Sequence, residues 1–212
     1  MEQRIPVNPG RVDWAGDNPA IFLREHADGP WTGLGIFFNV TYSQHGRGYT
    51  MIALGEPTAP KGYPDSLNIC ITNNKELTNY LLTNFVSKFP AFVDQPGLAA
   101  MTVIEAESHQ SGGDMKTSWY ETVCASDVQI KMEWKNLATP MAVEVGPENC
   151  VTKLHDMYSV FFEAKDAVIY VNQTPLKGVV TDRQFFGRTM STAFLAVSET
   201  WVIPESYPSE NN

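Results

Sequence analysis

Two carboxylates sit two residues from a tryptophan in otherwise apolar surroundings: Glu121 between Trp119 and Val123, and Glu199 between Val197 and Trp201. If either points into a dry cavity, desolvation raises its pKa and makes it a general acid or base near neutral pH. Turned outward, or paired with Arg188 or Lys116, it is a structural bridge. The stretch 154–163 is mixed in the same way, with Asp156 and Tyr158 on one face and His155 and Ser159 on the other. His155 has the chemistry of proton transfer, and Tyr158 could donate to a substrate oxygen. A core histidine and an interface tyrosine are the plain alternatives. Arg188, following Phe185-Phe186-Gly187, offers a planar fork for a substrate carboxylate, or caps a loop. The candidate catalytic residues are thus Glu199, Glu121, His155, Tyr158 and Arg188. The candidate substrate-binding residues are Trp119, Trp134, Trp201 and Phe194.

Other chemistries lack their motifs. His26, His45, His109 and His155 are scattered, without a His-x-His pair or a His-Glu-x-x-His helix, so no metal site is expected. Gly33, Gly35, Gly46 and Gly48 match neither a P-loop nor a dinucleotide fingerprint, and Gly-x-Ser-x-Gly is absent, so no cofactor is expected. Cys70, Cys124 and Cys150 are an odd, widely spaced set and read as free thiols. A net charge of -9 disfavours nucleic acid and anionic membranes as partners. No run of about 18 apolar residues occurs, and the first ten residues lack a signal-like apolar core. The expectation is a soluble, cytoplasmic protein, with Asn39-Val40-Thr41 and Asn172-Gln173-Thr174 unused as glycosylation sites. An acidic, aromatic-rich β chain is also compatible with a homodimer.

The elements that would position these residues are mostly strands. Residues 1–19, rich in proline and glycine, read as an irregular arm, followed by a short strand at 20–25. Residues 31–42 and 49–54 read as a hairpin, with Gly33 and Gly35 marking a bend or close backbone approach. A proline-rich loop over 55–65 precedes a half-buried strand at 67–72. Asn73 and Asn74 suit a helix N-cap, and the Leu77, Leu81, Phe85 repeat predicts one helix over 75–89, stopped by Pro90. Further strands are expected at 99–108, after which 111–114 turns, and then at 117–124, 128–135 and 141–145. A hairpin of 154–163 with 167–172 is expected to turn about 164–166, and a loop over 173–187 to lead to the closing strand at 188–204. Strict alternation there puts Leu195, Val197, Glu199 and Trp201 on one face.

Roughly ten strands, short connections and one packed α-helix point to a mainly β fold: an antiparallel β-barrel of about eight to ten strands. It would be calycin- or lipocalin-like in shape, formed by residues 20–204 as one domain, with 205–212 as a tail. The likeness is architectural, since the lipocalin Gly-x-Trp is replaced by Trp31-Thr32-Gly33 in the opposite order. Such a barrel suits a small-molecule ligand. The expected function is a cofactor-independent acid-base enzyme of lyase, isomerase, cyclase or decarboxylase type acting on an apolar or aromatic small molecule. The alternatives are a non-catalytic carrier of an apolar ligand and a β-sandwich that makes contacts through aromatics such as Trp31 and Tyr42.

Overall fold

β-branched and aromatic residues alternate along most of the chain, and long-range pairing draws nearly all of that pattern into strands. The computed structural model describes residues 9–185 and 187–205; it is mainly β with one principal helix. Thirteen strands form one curved sheet. Its hydrogen-bonded path runs β6 (Thr102–Glu105), β5 (Asn68–Thr72), β4 (Gly48–Leu54), β3 (Trp31–Ser43), β1 (Gly10–Asp17) and β15 (Ala193–Pro204). It continues through β11 (Asp156–Val171), β9 (Gln129–Leu137), β8 (Ser118–Cys124) and β7 (Ser108–Gly113). β2 (Ala20–Arg24) pairs β3 and β15, while β10 (Met141–Val145) and β12 (Thr174–Pro175) flank β11. A separate hairpin of β13 (Asp182–Phe185) and β14 (Arg188–Ser191) leads into β15. The path is open between its end strands, β6 and β7.

Curvature gives the sheet two dry faces. On one, Phe37, Met51 and Ile71 from β3 to β5 meet Met132, Trp134 and Ile169 from β9 and β11, so the sheet is folded onto itself. Gly35 makes this approach possible: a Cβ there would lie 2.8 Å from Ile169 Cδ1 and 3.0 Å from Met132 Cε. The opposite face carries Trp14, Phe38, Phe161 and Trp201 against Leu77 and Phe85 of the helical segment. The cover consists of α1 (Lys75–Asn84), a 3-10 turn at Val86–Lys88, α2 (Pro96–Ala100), β10 and the β13–β14 hairpin. Asn74 caps α1 by accepting from the Leu77 amide at 3.1 Å. The helix ends at Asn84, so the predicted span of 75–89 divides into α1 and the 3-10 turn. No helix of the described residues is long and apolar enough to cross a membrane.

Five expectations change. Within the supposed N-terminal arm, Gly10–Asp17 is a strand in the middle of the sheet, paired on both sides, and the glycines there serve close packing. A Cβ on Gly16 would lie 2.1 Å from the Asn39 carbonyl oxygen. Residues 1–8 and 206–212 lie outside the described residues. The supposed turn at 164–166 is instead the middle of β11, one strand of 16 residues that exchanges partners. Its first half pairs β15 and β10, its second half β9 and β12, and the polar Lys165 and Asp166 simply face solvent. The strand expected at 99–108 begins only at Thr102 and ends at Glu105, because residues 96–100 form a helix that Pro96 suits as a start. The supposed turn at 111–114 is largely strand β7, and the supposed loop 173–187 contains β12 and β13.

Candidate functional site

β15 does not keep a single alternation. Ser198 has φ of 52° and the pairing with β11 slips between Tyr158 and Val160, the signature of a β-bulge. The Ser198 amide donates to Asp17 Oδ1 at 2.9 Å, which anchors the bulge. Before it, Leu195 and Val197 join the folded-over core and Phe194 and Ala196 the helix-covered one. The extra residue shifts the parity, so Trp201 emerges on the face of Phe194 and Ala196. The expected grouping of Leu195 and Val197 with Glu199 and Trp201 is thereby corrected.

On that helix-covered face lies a cavity of about 250 Å³. Its wall is mostly apolar, with Phe22, Met157, Phe161, Phe185, Phe194 and Trp201, and its polar lining includes Asn18, Cys150, Arg183 and Glu199. Glu199 is only 2% exposed. Its Oε1 accepts from Trp201 Nε1 at 2.7 Å and from Asn18 Nδ2 at 3.2 Å. Asn18 is itself pinned, its amide donating to the Ala196 carbonyl at 2.7 Å. Burial pushes the Glu199 carboxyl up to about 7, overcoming the lowering by Trp201, Asn18 and Ser159, and the negative charge of Asp17 adds to the rise. At neutral pH such a group both gives and takes a proton.

Arg183 enters the same cavity from β13. Its guanidinium lies 4.6 Å from the ring centre of Phe185, 4.8 Å from Phe194 and 5.6 Å from Phe22. Its Nε and Nη2 are buried and find no hydrogen-bond partner among the described residues. Burial pulls its pKa down to about 10, which leaves it cationic at neutral pH. Cys150, buried in the wall, has its thiol pushed up by burial and stays protonated.

No family model, curated protein or solved structure matches this chain. Functional assignment therefore rests on the geometry of its side chains.

Behind the cavity wall runs a second polar cluster. His155 Nε2 is 2.8 Å from Asp13 Oδ2, and the Tyr80 hydroxyl donates to that same oxygen. His155 Nδ1 is 2.8 Å from Thr152 Oγ1, which lies 3.3 Å from Cys150 Sγ. Burial alone would raise Asp13, but the hydrogen bonds from His155 and Tyr80 outweigh it and hold the carboxyl below its ordinary range. The cluster ties β1, α1 and the start of β11 together, and His155, beneath the rings of Phe85 and Trp201, does not line the cavity.

The remaining candidates are dispersed. Glu121 repeats the Glu199 arrangement, accepting from Trp119 Nε1 at 2.8 Å, but its other oxygen is 2.6 Å from His109 Nε2. Phe37 and Tyr49, packed on the His109 ring, put that pair with the folded-over core rather than the cavity. Trp134 is fully buried there, donating to the Ala20 carbonyl at 3.0 Å, and Trp119 packs against the same core. Tyr158 stands opposite Thr200 and Glu144 and is not part of the cavity wall. Arg188 is exposed, its Nη1 3.4 Å from Met141 Sδ, at a separate shallow depression. Of the nine candidates, Glu199, Trp201 and Phe194 meet at the cavity. Arg183, Asn18 and Cys150 were not foreseen. The Arg183-Gln184-Phe185 alternation in the supposed loop carried a signal for the first, whereas nothing in the sequence links Asp13 to His155, 142 residues away.

Proposed function

We propose that this protein binds a small, largely apolar or aromatic molecule in the cavity on the helix-covered face of its sheet, and that Glu199 acts on that molecule as a general acid or base. The observation that carries the reading is the Glu199 carboxyl buried in the wall of an aromatic cavity, where desolvation pushes its pKa up to about 7. It supports a cofactor-independent proton-transfer reaction of lyase or isomerase type. A non-catalytic carrier is the second reading. It is favoured by the rest of the lining: the other titratable groups there, Arg183 and Cys150, are a cation and a protonated thiol, so Glu199 has no proton-exchanging neighbour on the wall.

The same reading treats the sheet as a barrel. Only Ala106 and Glu107 separate β6 from β7, and their amides bond to Thr72 and Cys124 respectively, each at 2.8 Å. One continuous bent segment thus serves both ends of the path. On this view the barrel interior is filled with side chains and the ligand sits outside it, under the helical cover and the β13–β14 hairpin. A cytoplasmic location belongs to the proposal and is supported by the free thiols of Cys70, Cys124 and Cys150.

The test is native mass spectrometry of protein purified from its source. A retained small molecule is expected, and it should be lost from Ala91→Phe, which fills the cavity. Retention by that variant, or no bound mass in the wild type, sinks the cavity reading. With the molecule identified, turnover abolished in Glu199→Gln with binding kept supports catalysis. Unchanged turnover, or no turnover at all, leaves the carrier.

A further inference from the structure

We infer that the occupant of this cavity is a compact carboxylic acid, its carboxylate held side-on by Arg183 and its apolar body packed against Phe161, Phe194 and Trp201. The inference rests on the cavity reading above and adds the class of ligand. Nε and Nη2 lie on one edge of the guanidinium, the edge that a carboxylate engages with two parallel hydrogen bonds. Those are the two Arg183 atoms that are buried and unpartnered among the described residues. Cation–π contact with three phenylalanine rings positions the group but supplies no acceptor for its N–H bonds. Buried donors left empty cost free energy, and a carboxylate removes that cost.

Charge balance favours the same occupant. No acidic side chain among the described residues forms an ion pair with Arg183, so its buried charge has no direct partner, and it is uncompensated when Glu199 on the same wall is protonated. A monoanion neutralises it. Because the chain as a whole is at -9, attraction for an anion has to come from this local group rather than from the overall field. At about 250 Å³ the cavity lies near the small end of ligand sites, which points to an acid with a single ring or a short branched chain. Glu199 on the same wall accommodates the anion best when it is protonated.

The full chain is titrated calorimetrically at about pH 6 with trans-cinnamate and, separately, with its neutral isostere cinnamamide. Cinnamate is expected to bind at least about tenfold more tightly than the amide, as charge-assisted hydrogen bonds require. Arg183→Met should bring cinnamate down to the level of the amide and leave the amide unchanged. Arg183→Lys, which keeps the charge and loses the fork, should recover only part of the preference and stands in if the methionine variant does not fold. Equal binding of acid and amide, or a preference that survives Arg183→Met, overturns the carboxylate assignment and leaves the cavity reading intact. Binding of neither compound overturns the assignment; loss of the retained molecule from Ala91→Phe then decides the cavity reading independently.

Discussion

Replacing Glu199 by glutamine tests the electrostatics of the cavity without reference to any ligand. The folded-state pKa of about 7 stands above the ordinary value of 4.5, so the native protein holds this proton more tightly than the unfolded chain does. Linkage then fixes the sign: stability is greatest below about 4.5, falls as pH rises toward about 7, and the loss is complete above that. The displacement corresponds to about 3 kcal/mol. Glutamine is neutral at every pH, has a similar volume, and still presents an oxygen to Trp201 and Asn18. The Glu199→Gln variant should therefore gain about 3 kcal/mol on the wild type between about pH 5 and about pH 8. The charged and titratable groups around Glu199 do not imitate this. Asp17 acts within the shift itself, Arg183 is cationic throughout, and the Cys150 thiol is displaced away from neutrality. Asp13, being lowered, contributes stability that is lost only as pH falls through the acid range. Urea unfolding of both proteins across this pH range, with m-values compared, makes the measurement. Parallel stability profiles would refute the claim that a desolvated carboxyl faces the cavity.

Two further outcomes concern the scaffold. Ser198 is exposed and adopts a left-handed conformation, so Ser198→Gly should stabilise by up to about 1 kcal/mol and Ser198→Val should destabilise by about 1–2 kcal/mol. Equal unfolding midpoints for the two variants would remove the bulge as the cause of the parity change. Asp13→Asn weakens the contacts to His155 and Tyr80 and should cost about 2–3 kcal/mol near neutral pH, with cinnamate affinity unchanged. A change in affinity with unaltered stability would instead place this cluster in the binding site.

Local patterns revealed most of the strands and the one principal helix, because burial on one face leaves a periodic trace: Leu77 and Leu81 in α1, and Ile130, Met132 and Trp134 in β9. They failed where pairing overrode composition. Gly10–Asp17 contains two glycines and two aspartates, and only simultaneous pairing with β3 and β15 makes it a strand. β11 looked like two strands because Lys165 and Asp166 interrupt its apolar residues, and an exchange of partners leaves no local mark.

The tryptophan-flanked carboxylates mark the boundary between what sequence and tertiary structure decide. Sequence alone determined that Glu121 and Glu199 each lie within reach of an indole two residues away, and each is bonded to it, because that relation is local to one strand. Tertiary structure decided that they belong to different faces of a folded sheet: Glu121 is paired with His109, Glu199 opens onto a cavity, and Arg183 lines the same wall. For Glu199 the physical reason is a single extra residue at Ser198, which reverses the side of the sheet to which the rest of β15 points.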